Sequence, residues 1–253
     1  MKLPPRPRAA AHGSLASQPA GRIVFITGTD TGAGKTILTA LLLLHWRSRG
    51  VRAAAIKPFA TGSLADARLL ARCQGGAQAV ERVTPFLFRA PVAPLVAARR
   101  ERRQVSLAEA VAVVRAAQTD DAMLFVEGCG GLLTPLGAGY TARELIRELN
   151  CPTLVAARNR LGVLNQALLA VTALQAVGLT PAGIVLLACA RADASTATNA
   201  GALRELVAPV PVFALPYLGP RAGSLANLVA AAAKQRGLLA RLSATFWEGA
   251  TNA

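Results

Sequence analysis

The sequence predicts an α/β protein: a P-loop nucleotide-binding fold with a mostly parallel sheet and helices on both faces. Three observations carry this. Short apolar, β-branched runs alternate with segments of helical length. The first such run leads directly into a glycine-rich turn that ends in Gly-Lys-Thr. No linker or internal repeat divides the chain beyond residue 22. The predicted organisation is a disordered basic tail at 1–22 and a single P-loop α/β domain at 23–253.

The tail contains no acidic residue, has prolines at positions 4, 5 and 7, and shows no apolar period. An organelle-targeting peptide would share the acid-poor composition, but the early prolines oppose the amphipathic helix it needs. IVFIT at 23–27 suits a strand buried on both faces. A helix is predicted from Thr36 to Arg49, and a strand from Ala53 to Ile56. Helices follow at Leu64 to Cys73 and Leu107 to Ala117, the latter capped by Ser106. MLFVE at 123–127 is a third buried strand that ends in a carboxylate, and Thr153 to Ala156 a fourth. A long helix over Gly162 to Val177 is ended by Gly178. Strands at Gly183 to Ala188 and Val212 to Leu215 and a helix over Leu225 to Leu242 complete the pattern.

Composition narrows the classes. At 253 residues, 53% hydrophobic and 16% charged, the chain can bury a core without disulfides or metal. With 4% aromatics, that core is built from Ala, Leu and Val. No apolar run reaches the roughly 18 residues of a membrane span, because Asn165, Gln166, Thr172 and Gln175 interrupt the longest candidate. Cys73, Cys129, Cys151 and Cys189 form no CxxC pair, which predicts small buried thiols in a reducing, cytoplasmic compartment. The net charge of +15 raises the question of nucleic acid. The arginines are scattered and no aromatics alternate with them, so they read as solvated charge. The densest group, Arg99, Arg100, Arg102 and Arg103, reads as one exposed helix face.

The chemistry starts at Gly28-Thr29-Asp30-Thr31-Gly32-Ala33-Gly34-Lys35-Thr36, read as a GxxxxGK[ST] phosphate loop between a strand and a helix. Gly32, Ala33 and Gly34 let backbone N–H groups face phosphate oxygens. Lys35 can neutralise the outer phosphates, and the Thr36 hydroxyl can bind Mg²⁺. Lys57 follows the second strand and Glu127 ends the third, and strand ends of a parallel sheet face the ligand crevice. Glu127 suits a Mg²⁺ ligand. Asp66 is either a second ligand or a helix-start acid.

The segments TGTDTGAGKT (27–36), KPFATG (57–62), Asp66, TPFLFRAPVAPLVAA (84–98), VEGCGGLLTPL (126–136), LGVLNQ (161–166) and PVFALPYL (211–218) resemble the ATP-dependent dethiobiotin synthetase family of biotin biosynthesis. The resemblance implies a homodimeric ligase. Its reactants are 7,8-diaminononanoate, CO₂ (or bicarbonate) and ATP with Mg²⁺. Its products are dethiobiotin, ADP and phosphate, formed through a carbamic–phosphoric anhydride. Carried over residue by residue, Lys35 and Lys57 are catalytic, Thr36, Asp66 and Glu127 hold the metal, and Thr31 and Thr61 face the carbamate. Gly162 and Asn165, at a helix start beside the dimer interface, bind the substrate carboxylate. The chain departs from the family's pattern at Gly32, where an acidic residue is usual, and at Gln166, where a histidine is usual. The family's adenine-reading Asn-Asp after the fifth strand is also missing: here the strand runs Ile184 to Cys189.

Two other readings stand beside this one. A related amidoligase with its own glutaminase domain would need length and a reactive Cys–His pair, and the only histidines are His12 and His45. A partition-type ATPase that binds DNA through its basic surface carries an early lysine in the phosphate loop. Here those positions are Thr29, Asp30 and Thr31.

Overall fold

The structure, a computed structural model, describes residues 22–76, 79–118 and 123–247. The predicted tail thus lies outside the described residues, save Arg22. In chain order, β1 (Arg22–Gly28) leads into α1 (Lys35–Ser48), β2 (Ala53–Ile56), β3 (Phe59–Thr61), α2 (Ala65–Cys73), α3 (Val80–Val83), β4 (Phe86–Phe88), α4 (Pro94–Arg100) and α5 (Leu107–Ala117). Then come β5 (Met123–Glu127), β6 (Pro135–Gly137), β7 (Tyr140–Thr141), α6 (Ala142–Leu149), β8 (Thr153–Asn159) and α7 (Val163–Gln175). The chain continues through β9 (Gly183–Ala188), α8 (Asn199–Leu206), β10 (Val212–Leu215), α9 (Leu225–Lys234) and α10 (Arg236–Ala244).

Six strands form one sheet in the order β10-β9-β8-β1-β5-β2, and every pairing in it is parallel. Side chains alternate across a strand, so each strand feeds two cores. Val24 and Ile26 of β1 join one core with α1, α2, α9 and α10; Phe25 joins the other with α4 to α8. Strands buried on both faces need apolar residues at every position, which is why β1, β5 and β9 read as continuous hydrophobic runs. The predicted two-faced parallel sheet is the observed architecture.

Several elements differ from the sequence reading. β8 continues past Ala156 to Asn159, because its polar end is held by bonds to loops rather than by apolar burial: Asn159 Nδ2 donates to the Thr196 carbonyl at 3.0 Å. The single helix predicted over Leu225 to Leu242 is two helices, broken at Gln235 (ψ 15°) beside Gly237. The bend returns Leu239, Leu242 and Phe246 to the core on α1, where the Trp46 indole donates to Ser243 Oγ at 3.1 Å. The C-terminal region, which carries no family motif, therefore completes one face of the sheet. β3, β4, β6 and β7, of two or three residues, and α3, α4, α6 and α8, of four to eight, are too short to show a period. The Ser106 cap is a full capping box with Glu109. Of the four thiols, all free, Cys73 is buried and the others are half-buried. Among the described residues, no helix is long and apolar enough to cross a membrane.

The edge strand β2 positions the site most directly, since Lys57 leaves its end. Its free edge is satisfied by a side chain: Gln74 Nε2 donates to the Ala55 carbonyl at 2.9 Å, and Gln74 Oε1 accepts from the Ala55 N–H at 3.1 Å. The Lys57 N–H then donates to the Val83 carbonyl at 2.8 Å. The buried amide takes the place of a seventh strand. Gln74→Leu would leave both Ala55 groups unpaired in the interior, at a cost of ~2–3 kcal/mol. Thermal unfolding should then shift down by roughly 5–10 °C, at ~2–4 °C per kcal/mol for a chain of this size. An unchanged midpoint would show that the amide does not support the edge.

Candidate active site

The carboxyl ends of the parallel strands converge on the loop after β1. The loop is one residue longer than GxxxxGK[ST]: positions 29–33, five residues, separate Gly28 from Gly34. Gly34 has φ +94°, and a Cβ there would lie 2.5 Å from a Leu187 methyl, so only glycine lets α1 start this close to β9. No side chain caps the start of α1 and no acid occupies its first turn, which leaves N–H groups and positive potential there. Lys35 Nζ spans the loop, donating to the Asp30 carbonyl at 2.9 Å and the Gly130 carbonyl at 2.6 Å.

Beside it lies a charged cluster assembled from four elements. Lys57 Nζ is 2.7 Å from Asp66 Oδ2, in the first turn of α2, and 2.5 Å from Glu127 Oε1, at the end of β5. Thr36 Oγ1, in the first turn of α1, donates to the same Glu127 oxygen at 2.8 Å. Glu127 is fully buried and Lys57 is 7% exposed, whereas the Asp66 side chain is about half open to solvent (47%). Burial alone would lower the Lys57 ammonium's affinity for its proton. Glu127 and Asp66 outweigh that and raise its pKa, so Lys57 is a cation throughout the physiological range. For Asp66, burial works upward, but the Lys57 charge and hydrogen bonds from Lys57 and Thr36 hold the carboxyl below its ordinary value. Lys35 goes the other way: burial, then repulsion by Lys57, lower its pKa. Lys57 is thus matched by two carboxylates, while the Lys35 ammonium donates only to backbone carbonyls and can take an anion.

One atom of the cluster is unsatisfied. Glu127 Oε2 is buried without a hydrogen-bond partner, although a buried carboxylate oxygen normally finds one. Thr36 Oγ1, Asp66 and Glu127 together present hard oxygen donors, and Oε2 has a free lone pair to offer. This set fits Mg²⁺, which takes one or two carboxylates and completes its shell with water and phosphate oxygens.

Thus Lys35, Thr36, Lys57, Asp66 and Glu127 come together at the carboxyl ends of the strands. Gly32 and Ala33 complete the loop above them. Thr31 is exposed on the loop, its N–H donating to Asp30 Oδ1 at 2.6 Å. Thr61 ends β3, paired in register with Phe88 of β4. Gly162 and Asn165 stand apart: Gly162 caps α7 with φ +91°, and Asn165 is exposed on its first turn. Neither lines the cavity of about 430 Å³ beside Gly28, Thr29 and Asp30; Gln166 and Leu169 of the same helix do. A second cavity, of about 340 Å³, lies on the other side of the loop, where Leu187, Ala188 and Cys189 face Leu215, Pro216 and Tyr217. Sequence reasoning missed Arg158, whose Nε–H donates to the Gly32 carbonyl at 2.5 Å. It also missed Asp193, which accepts from the Leu161 N–H at 2.8 Å and ties the loop before α7 to that after β9. An arginine one residue before a strand's end was the available signal for the first; nothing local marked the second.

The chain is similar to several known proteins. Residues 22–219 match a family described as AAA domain. The ATP-dependent dethiobiotin synthetase BioD of Anaeromyxobacter dehalogenans (strain 2CP-C) is 41% identical over 218 residues, 83% of this chain and 98% of that protein. The protein of the same name from Thermodesulfovibrio yellowstonii is 33% identical over 211 residues, 77% of this chain and 88% of its own. A solved nucleotide-binding protein in complex with ADP, from Archaeoglobus fulgidus, superposes with a TM-score of 0.49 at 13% identity, covering 84% of this chain and 88% of that one.

Proposed function

The chain belongs to the ATP-dependent dethiobiotin synthetase family, and we propose that it makes dethiobiotin from 7,8-diaminononanoate, CO₂ and ATP. The observation that carries this reading is the Lys57 ammonium held between Asp66 and Glu127 beside the Lys35 loop. In the proposed reaction CO₂ adds to one substrate amine to give a carbamate. The carbamate oxygen attacks the γ-phosphorus, the bond to the bridging oxygen breaks, and ADP leaves. The second amine then attacks the carbamoyl carbon and expels phosphate, closing the ureido ring.

An anionic nucleophile that approaches an anionic phosphate needs neutralisation and alignment more than a strong base. Lys35 and the N–H groups of Gly32 to Thr36 hold the terminal phosphates. Lys57 supplies a second fixed positive charge and orients the carboxylates of Asp66 and Glu127 through its bonds to both. Thr36, Asp66 and Glu127 would hold Mg²⁺, which when bound neutralises phosphate oxygens. Thr31 and Thr61 offer hydroxyls to the carbamate. Gly162 and Asn165 would reach a substrate carboxylate in a homodimer, from the partner's side. The exposed side chains of Leu133 (53%), Leu161 (80%) and Leu169 (62%) around this region support such an interface.

The direct test is dethiobiotin formation by the purified protein with diaminononanoate, bicarbonate, Mg²⁺ and ATP. Lys57→Ala should lower turnover at least ~100-fold, the loss of about 3 kcal/mol typical of a charge-stabilising contact. No product from the wild-type protein would overturn the reaction; near-normal turnover by a folded variant would remove Lys57 from it.

The apolar cavity of Leu187, Ala188, Cys189, Leu215, Pro216 and Tyr217 is where the base of a nucleotide held by the loop would extend. Leu187 and Ala188, where the family's Asn-Asp would stand, offer neither the donor nor the acceptor that an Asn amide gives adenine. An apolar pocket discriminates weakly between isosteric groups. CTP, GTP and UTP should therefore support the reaction within about tenfold of ATP in kcat/KM, a gap of ~1.4 kcal/mol or less. A thousandfold preference for ATP over each of the others would contradict this.

A further inference from the structure

Arg158 takes no part in the charged cluster around Lys57, and neither the phosphate loop nor the metal and substrate groups assign it a role. It sits near the end of β8, in register with Leu187 of β9. Its Nε–H donates to the carbonyl of Gly32. That single bond fixes the plane of the guanidinium against the loop and leaves the terminal amino groups free to donate elsewhere. A Cβ on Gly32 would lie 3.0 Å from Arg158 Nη2, and Gly32 has φ +72°. The guanidinium therefore occupies the space a loop side chain would take. Arg158 also lines the cavity of about 340 Å³ between the loop and the apolar wall, and it is the one charged side chain among the described residues there.

From this arrangement we propose that Arg158 binds the α-phosphate of the nucleotide; the proposal rests on the reading that the site takes ATP. Lys35 and the start of α1 serve the terminal phosphates, and the wall of Leu187, Ala188 and Leu215 offers apolar contact to the base. The anionic group between those two ends is the α-phosphate, and the guanidinium stands between them. A flat, permanently charged fork suits phosphate oxygens better than the compact ammonium of lysine. It would also give affinity that does not depend on the base, in keeping with a pocket poor in base-reading groups. A side chain at position 32 would stand against the fork, and the guanidinium would have to shift by a few tenths of an ångström to admit it.

The test is calorimetric binding of ADP and of pyrophosphate to the wild-type protein and to Arg158→Ala, a substitution of an exposed residue. The contact predicts ADP binding weakened about tenfold in the variant, with pyrophosphate, which needs only the loop, within twofold of wild type. ADP affinity unchanged by the substitution would overturn the proposal. So would equal losses for ADP and pyrophosphate, since Arg158 would then only shape the loop. Failure of the wild-type protein to bind ADP would remove the nucleotide reading and this proposal together. ADP binding that depends on Arg158 in a protein that forms no dethiobiotin would leave this contact standing and overturn only the reaction.

Discussion

Lys57 is held 2.5 Å from a carboxylate that has no exposure to solvent, and the rest of the site is arranged around that pair. A buried carboxylate with no counter-charge is costly, as is a buried ammonium. Each ion is tolerable here because the other is in place, with Thr36 and Asp66 completing the bonds. The pair bridges the ends of β2 and β5, neighbours in the sheet. Its geometry is set by backbone: Glu127 is the last residue of β5, and the Lys57 N–H is tied to Val83. The strand register therefore decides where the charges lie, and the charges constrain which strand ends can be adjacent.

The same constraint explains the loop. The Lys35 ammonium donates to the carbonyls of Asp30 and Gly130, and its pKa is lowered first by burial and then by repulsion from Lys57. Lys57 has its two carboxylates, whereas Lys35 has only carbonyls. Polyphosphate is a ligand that would give Lys35 an anionic partner, and the unpartnered Glu127 Oε2 offers a donor to a divalent cation that would accompany it.

Much of this was legible in the sequence because it depends on short-range rules. Continuous apolar runs marked β1, β5 and β9, and their polar terminal neighbours marked the residues that face the crevice. Glu127, and Lys57 after β2, could be picked out for that reason, and Lys35 and Thr36 from the glycine-rich loop, whereas Asp66 was singled out as a ligand only by the family resemblance. Their mutual contacts could not, since 91 positions separate Thr36 from Glu127 and only the strand order joins them. Arg158 escaped because β8 runs two residues past its apolar stretch, and the bond that holds it is to a backbone carbonyl 126 positions away. The break at Gln235 falls in the polar run Lys234 to Gly237, and Leu228 and Ala232 before it and Leu239 and Leu242 after it all reach the core on α1.

The central claim is that Lys57 and Glu127 act as one unit at the junction of β2 and β5. A double-mutant cycle on stability tests it most directly, with Lys57→Met, Glu127→Leu and the double variant unfolded in urea. Lys57→Met leaves the buried Glu127 without a counter-charge and Glu127→Leu leaves Lys57 only the half-exposed Asp66; each should cost ~3–5 kcal/mol, whereas the double variant replaces the pair with apolar groups and should cost far less than the sum. The expected coupling energy is at least about 2 kcal/mol, within the range measured for residues in direct contact. Additivity to within ~0.5 kcal/mol, as for independent sites, would contradict it.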